Sequence, residues 1–115
     1  MNDSEKIIRD EARFILGTYS RPGFVLDHGK GCYLYDKEGK RYLDMVSGIA
    51  VNALGYGDSR LARVIAEQAS RMVHCSNLYY TEPSVKLARM LVESSFADKV
   101  FFCNSGAEAV EGAMK

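Results

Sequence analysis

A short apolar run that leads at once into a polar turn and a helix-forming segment constrains this chain more than any other feature. The run, Lys-Val-Phe-Phe-Cys over residues 99–103, combines β-branched and aromatic side chains and predicts a buried strand. Residues 107–115 consist mainly of Ala, Glu and Met, which favour a helix. A strand this apolar is unsuited to an exposed sheet edge, so it needs neighbours on both sides.

The turn between the strand and the helix suits an anion. The first amides of a helix have no acceptor within the helix, and the helix dipole adds positive potential at the same end. Ser105, Gly106 and Ala107 are therefore candidates for binding a phosphate group. Ser-Gly at a helix start is most often only a cap, so the residues alone favour that plainer role for Ser105 and keep the phosphate site as the alternative.

Composition and charge exclude several classes of partner. The 15 basic and 15 acidic residues cancel and form no basic stripe, so a nucleic-acid-binding surface is not expected. No apolar run reaches transmembrane length and the N-terminus lacks a signal-peptide core, which predicts a cytoplasmic protein without a membrane anchor. Cys32, Cys75 and Cys103 form no CxxC pair and are expected to be reduced thiols, while the isolated His28 and His74 predict no metal site.

The first half of the sequence predicts a helix and a small antiparallel meander. Apolar residues at helical spacing predict a helix over residues 4–16 that stops at Gly17. Turns are expected at Gly29 and Gly31 and again at residues 36–40. They separate three short extended runs, at residues 24–26, 32–35 and 41–44. Together these runs predict a meander from residue 25 to residue 45.

Two amphipathic helices are expected further along the chain. The first is capped by Asp58 or Ser59, and its apolar positions continue to Met72. The second covers residues 83–95 and has Pro83 in its first turn.

Two stretches lie outside these regular elements. Residues 47–55 are small and apolar, which suits backbone packed tightly against a ligand or another subunit. Residues 74–80 are rich in aromatic and hydrogen-bonding side chains, and a composition shift there divides the chain into residues 1–73 and 74–115. The last helix has no stop signal and the strand before it has no parallel partner, so the sequence predicts a chain that continues beyond Lys115.

Five motifs in a fixed order resemble the class III (ornithine-type) pyridoxal-phosphate aminotransferases, and within that family the acetylornithine branch. They cover residues 17–21, 29–44, 48–55, 74–80 and 96–109. The resemblance implies an α/β fold in which an N-terminal helix and an antiparallel meander precede the start of a type I pyridoxal-phosphate large domain. Residues 1–73 would then form part of the small domain, and residues 74–115 would begin the large one.

The resemblance also implies roles for individual residues. The phosphate of pyridoxal 5'-phosphate would be bound by Ser105, Gly106 and Ala107, the substrate by Tyr19, Gly48 and Ile49, and a loop near the active site and dimer interface would contain Ser76 and Asn77. Three of these residues keep a plainer alternative: Tyr19 as an aromatic anchor between helix and meander, and Ser76 and Asn77 as turn caps. Ornithine-specific relatives carry an aromatic residue where this chain has Gly48, so the glycine favours an acylated substrate.

For the complete enzyme, the resemblance implies transfer of an amino group from N-acetylornithine to 2-oxoglutarate, in arginine biosynthesis, by a homodimer. The family's cofactor-bound lysine and its partner residues lie downstream of Lys115, so no catalytic residue is assigned here and the 115-residue piece alone is expected to be inactive. Two alternatives stay open. The enzyme could act on ornithine, succinylornithine or succinyl-diaminopimelate, or the chain could be a short non-catalytic relic or interaction module.

One motif departs from the family pattern. Relatives carry Gly-His-x-His-Pro where this chain has Gly-Tyr-Gly-Asp-Ser at residues 55–59. The missing His and Pro predict a looser turn, although Asp58 or Ser59 can still cap the helix that follows.

Overall fold

The structure, a computed structural model that describes residues 2–115, consists of helices and one small sheet in two compact units. The first unit ends at Arg71 and the second begins at Met72. In order along the first unit lie α1 (Asp3–Phe14), β1 (Leu26–Lys30), β2 (Tyr33–Asp36), β3 (Arg41–Leu43), the short turn α2 (Ser47–Ala50) and α3 (Ser59–Arg71). The second unit contains α4 (Glu82–Glu93) and α5 (Gly106–Met114).

Helix α1 begins at a complete capping box. The Asn2 side chain accepts from the Glu5 amide at 2.8 Å, and the Glu5 carboxylate accepts from the Asn2 amide at 3.1 Å. The helix ends earlier than predicted, because Ile15 already has an extended backbone (φ −111°, ψ 133°), so Gly17 is not its stop. The buried Ser4 hydroxyl donates to the Glu38 carboxylate at 2.5 Å and joins α1 to the turn between β2 and β3.

The predicted meander is confirmed as a three-stranded antiparallel sheet in the order β1-β2-β3. The first strand, however, lies later than predicted. It starts at Leu26 and runs through Gly29, so the chain reverses at Gly31 (φ +58°) and not at Gly29. Gly29 is needed inside the strand because a side chain there would lie 2.2 Å from the Tyr56 ring.

The turn from β2 to β3 is organised by the buried Asp36 carboxylate. One of its oxygens accepts from the Glu38 and Lys40 amides, at 3.1 and 2.8 Å, and the other accepts from the Tyr42 hydroxyl at 2.7 Å. The Tyr42 hydrogen bond lowers the pKa of Asp36, and the carboxylate in turn raises the pKa of Tyr42 to about 12. The stabilisation is therefore fully present between the unfolded Asp pKa of about 4 and the unfolded Tyr pKa of about 10. It is lost as pH falls from about 4 towards the lowered Asp36 pKa, and as pH rises from about 10 towards the raised Tyr42 pKa.

Three predicted helices are confirmed beyond the sheet. Helix α3 is capped by Asp58, whose carboxylate accepts from the Arg60 and Leu61 amides, both at 2.9 Å. Helix α4 has Thr81 at its N-cap and Pro83 in its first turn. Helix α5 begins at Gly106, directly after its N-cap, Ser105.

The predicted buried strand at residues 99–103 is wrong for this chain. These residues have no regular secondary structure, and the Phe101 side chain is 75% exposed. A strand exists only through hydrogen bonds to a neighbouring strand, and residues 72–115 provide none. The apolar side chains of this segment are therefore left exposed and do not form part of a core.

The apolar faces of the helices and the sheet do not enclose a core. Among residues 2–115 no hydrophobic side chain is buried, and the molecule exposes 10464 Å² of surface. A folded monomer of this mass exposes about 6,300 Å². Hydrophobic burial is the main force that offsets chain entropy, so the described elements have little tertiary stabilisation of their own.

We therefore expect the 115-residue chain on its own to bind the dye ANS strongly and to lose its circular dichroism signal gradually on heating. The reason is that exposed apolar surface binds the dye and that no core couples the elements into one cooperative transition. A sharp thermal transition without ANS fluorescence, in a chain shown to be monomeric by sedimentation, would contradict this expectation.

Candidate functional site

The start of helix α5 carries two amides available to a ligand. The Ser105 hydroxyl accepts from the Glu108 amide at 3.2 Å, and the Glu108 carboxylate accepts from the Asn104 amide at 2.7 Å. The amides of Gly106 and Ala107, at the first two helical positions, have no acceptor within the described part of the chain. A side chain at Gly106 would meet no atom within 4 Å. The predicted cap is therefore confirmed, and the same turn has two unpaired amides whose binding of an anion stays a prediction.

The loop with Ser76 and Asn77 lies beside the residues that lead into this turn. Both line a cavity of about 360 Å³ within the second unit, together with His74, Phe102, Cys103 and Asn104. Ser76 has a positive φ of 66°, its amide donates to His74 Nε2 at 3.1 Å, and its hydroxyl accepts from the Leu78 amide at 3.4 Å. Ser76 thus acts as a turn cap within this unit, and its predicted place near an active site stays a prediction.

Gly48 and Ile49 lie in a left-handed turn, a conformation that the sequence did not predict. The four residues Ser47, Gly48, Ile49 and Ala50 have φ angles of 51°, 60°, 58° and 64°. Left-handed backbone costs about 1–2 kcal/mol for each residue other than glycine, and a β-branched residue such as Ile49 is rarely found there. Strain of this kind persists only where surrounding contacts impose it, and such positions concentrate at binding sites.

The Asp44 carboxylate supplies much of that constraint. One oxygen accepts from the Val46 and Ser47 amides, at 2.9 and 3.0 Å, and so fixes the entry to the left-handed turn. The other oxygen accepts from the Tyr56 hydroxyl at 2.6 Å. The Tyr56 hydrogen bond lowers the pKa of Asp44, and the same bond raises the pKa of Tyr56. At neutral pH Asp44 is therefore ionised and Tyr56 is protonated.

The local structure explains why residue 48 is a glycine. A side chain there would lie 2.7 Å from the Asn52 amide nitrogen, and its φ of +60° is one that glycine adopts without strain. The glycine is thus required by its own backbone, whatever ligand lies beside it.

Sequence reasoning missed Asp44, Asn52 and Tyr56 as parts of this site. They belong to different motifs, and Asp44 and Tyr56 are 12 residues apart, so no local pattern joins them. The signal that was available is the run of small residues at 47–55. The structure shows close approach there only at Gly48 and Gly55, while Ile49 and Val51 are exposed.

Tyr19 lies apart from the left-handed turn, at a second cavity in the first unit. This cavity of about 470 Å³ lies between α1 and the segment that leads into β1, and neither Gly48 nor Ile49 lines it. The Tyr19 side chain is 76% exposed, so it is not a core anchor in this unit. The Arg21 guanidinium lies 5.8 Å from the centre of the Tyr19 ring and also pairs with the Glu11 carboxylate.

Comparison with known proteins gives a consistent result. A family model described as aminotransferase class-III matches residues 17–115. The chain is 53% identical over 112 residues to the mitochondrial acetylornithine aminotransferase of Alnus glutinosa, covering 97% of this chain and 25% of that protein. It is 50% identical over 113 residues to the acetylornithine aminotransferase of Methanothermobacter thermautotrophicus, covering 98% of this chain and 29% of that protein.

A solved structure extends the likeness to three dimensions. The crystal structure of acetylornithine aminotransferase from Elizabethkingia anophelis superposes with a TM-score of 0.90 at 32% identity, over 100% of this chain and 30% of that one. The chain therefore spans less than a third of the length of these relatives. The match of the family model to nearly the whole chain, in both sequence and fold, identifies it as a member of the class III aminotransferases, which are pyridoxal-phosphate-dependent enzymes.

Proposed function

We propose that the complete protein transfers the amino group of N-acetylornithine to 2-oxoglutarate, in arginine biosynthesis, with pyridoxal 5'-phosphate as cofactor. The observation that carries this proposal is the identity of about half of all residues to acetylornithine aminotransferases over nearly the whole chain. The matched spans of 112 and 113 residues take in all five motifs, which supports a choice within the family as well as family membership. The cytoplasmic location predicted from the sequence stays a prediction, since one of these relatives is mitochondrial.

In this proposal the turn before helix α5 binds the cofactor phosphate. The free amides of Gly106 and Ala107 donate to phosphate oxygens, the helix dipole adds positive potential, and Ser105 keeps the turn in place through its bond to the Glu108 amide. The glycine fits the group, because no atom lies within 4 Å of the position that a side chain at Gly106 would take and none is added by the residue itself. The bound cofactor supplies an electron sink for breaking a bond at the substrate α-carbon.

The left-handed turn supplies one wall of the substrate pocket in this proposal. Ile49, whose side chain is 85% exposed, offers an apolar surface to the donor's acyl group. Gly48 adds no side chain of its own beside the Asn52 amide. Tyr19, at the separate cavity next to α1, offers an aromatic ring over which the Arg21 guanidinium lies at 5.8 Å from the ring centre. These residues orient the donor, and we assign no proton transfer to them.

A homodimer belongs to the same proposal, with Ser76 and Asn77 near the contact between subunits. The apolar side chains exposed on both units support it, because subunit contacts of obligate dimers are built from such surface.

Ornithine stays a second candidate donor for a specific reason. The glycine at position 48 is explained by its contact with Asn52 alone, so it does not by itself select an acylated donor.

We expect a chimera, in which residues 1–115 replace the matching segment of the Methanothermobacter enzyme, to convert N-acetylornithine and 2-oxoglutarate to glutamate. The 115-residue chain alone should show no turnover, because it holds one part of the cofactor site and one pocket wall. Initial rates with N-acetylornithine and with ornithine, measured as glutamate formed, give the donor preference. Equal or higher kcat/KM with ornithine would contradict the proposed donor, and turnover by the chain alone would contradict the assignment of its role.

We expect Gly106→Val in this chimera to weaken retention of pyridoxal 5'-phosphate at least about tenfold, because a branched side chain at the first helical position hinders close approach of a phosphate to the backbone there. Cofactor absorbance after gel filtration measures this without reference to activity. Gly17→Val is the matched control, since a side chain at Gly17 also meets nothing within 4 Å. Retention by the Gly106 variant equal to that of the control would place the phosphate elsewhere.

A further inference from the structure

A closed ring of contacts surrounds the left-handed turn. Asp44 accepts from the amides that open the turn and from the Tyr56 hydroxyl. The Asn52 side-chain amide donates toward the Tyr56 phenol oxygen and packs against Gly48. The ring therefore joins both ends of the turn to one tyrosine.

Tyr56 is itself fixed to the sheet. Its backbone exchanges two hydrogen bonds with Gly31, at 2.9 and 2.8 Å, and its ring lies where a Gly29 side chain would be. Asp44 is fixed as well, because its amide donates to the Cys32 carbonyl at 2.9 Å. The two anchors of the turn thus belong to the meander, which is regular and paired, while the turn between them is strained and 85% exposed at Ile49.

We infer that Asp44 and Tyr56 are positioning residues that hold the turn Ser47–Ala50 left-handed and thereby set the enzyme's preference for an acylated donor. The inference rests on the proposed function, in which Gly48 and Ile49 form the pocket wall. If the Tyr56 hydroxyl is removed, Asp44 keeps its two amides but loses the contact that fixes its carboxylate against the sheet. The turn is then free to relax towards unstrained backbone, which turns Ile49 away from the acyl group.

The chain offers a matched control for this idea. Tyr42 donates to Asp36 at 2.7 Å in the same geometry as Tyr56 to Asp44 at 2.6 Å, and both tyrosines lie in the first unit. The Tyr42 pair organises the β2–β3 turn, so Tyr42→Phe removes an equivalent hydrogen bond without touching the left-handed turn. An effect seen in both Tyr42→Phe and Tyr56→Phe would indicate general destabilisation. An effect seen only in Tyr56→Phe would indicate that Tyr56 positions the turn.

In the chimera, Tyr56→Phe should raise KM for N-acetylornithine about tenfold, as expected for one lost hydrogen bond to a charged group, with kcat unchanged within about twofold. KM for 2-oxoglutarate, which has no acyl group, should change far less. Tyr56→His, which keeps a hydrogen-bond donor and is the residue that relatives carry at this point of the motif, should restore the donor KM. Tyr42→Phe should leave the ratio of the two KM values at the wild-type level.

Hydrogen exchange of the Asn52 amide, which donates to the Ser47 carbonyl at 2.9 Å across the turn, provides a readout independent of activity. We expect exchange at least about fivefold faster in Tyr56→Phe than in Tyr42→Phe. Equal exchange in the two variants, or equal KM ratios in a chimera that uses N-acetylornithine, would overturn the inference. A chimera that prefers another donor while Tyr56→Phe still accelerates this amide would refute the proposed donor and leave the anchoring of the turn in place.

Discussion

The ionised carboxylate of Asp44 is the constraint on which the rest of the first unit's site depends. Asp44 directly follows the last strand of the sheet, so the hydrogen-bonded sheet fixes its position. From there it binds two amides of a turn whose residues are in left-handed backbone, a conformation that three of the four would not adopt alone. Hydrogen bonds to a charged acceptor are about twice as strong as neutral ones, which suits this carboxylate to offset the strain.

The same arrangement occurs twice between Asp36 and Tyr56, and comparing the two cases shows what it does. Asp36 and Asp44 each accept from two backbone amides through one oxygen and from a tyrosine hydroxyl through the other. Around Asp36 the result is an ordinary tight turn with a single positive φ, at Gly39, which glycine tolerates. Around Asp44 the same contacts hold Ser47, Ile49 and Ala50 at positive φ, which these residues do not readily adopt. The second site therefore stores strain beside a proposed ligand, and the first only closes a hairpin.

The elements that could be predicted from the sequence are those fixed by local chemistry. The helices α1, α3 and α4 followed from apolar spacing and caps such as Asp58, and the meander followed from its turns. The strand predicted at residues 99–103 is absent because a strand forms only by hydrogen bonding to a neighbouring strand. The β-propensity of Phe101 and Phe102 cannot supply that neighbour. Gly29 was read as a turn residue because its real cause, the Tyr56 ring, lies 27 residues away.

The departure from the family's Gly-His-x-His-Pro pattern illustrates the same limit in the site itself. Its absence predicted a looser turn, since a Pro restricts the backbone and a His donates hydrogen bonds. In the structure Tyr56 donates through its hydroxyl to Asp44, and Asp58 caps α3 in place of the missing residues. Because Gly57 (φ +75°) and Gly55 (φ +76°) lie on either side of Tyr56, the backbone reaches the Gly31 bridge without strain at these two positions. The segment is therefore held from two sides, by the backbone bonds of Tyr56 to Gly31 and by the Tyr56 hydroxyl on the Asp44 carboxylate.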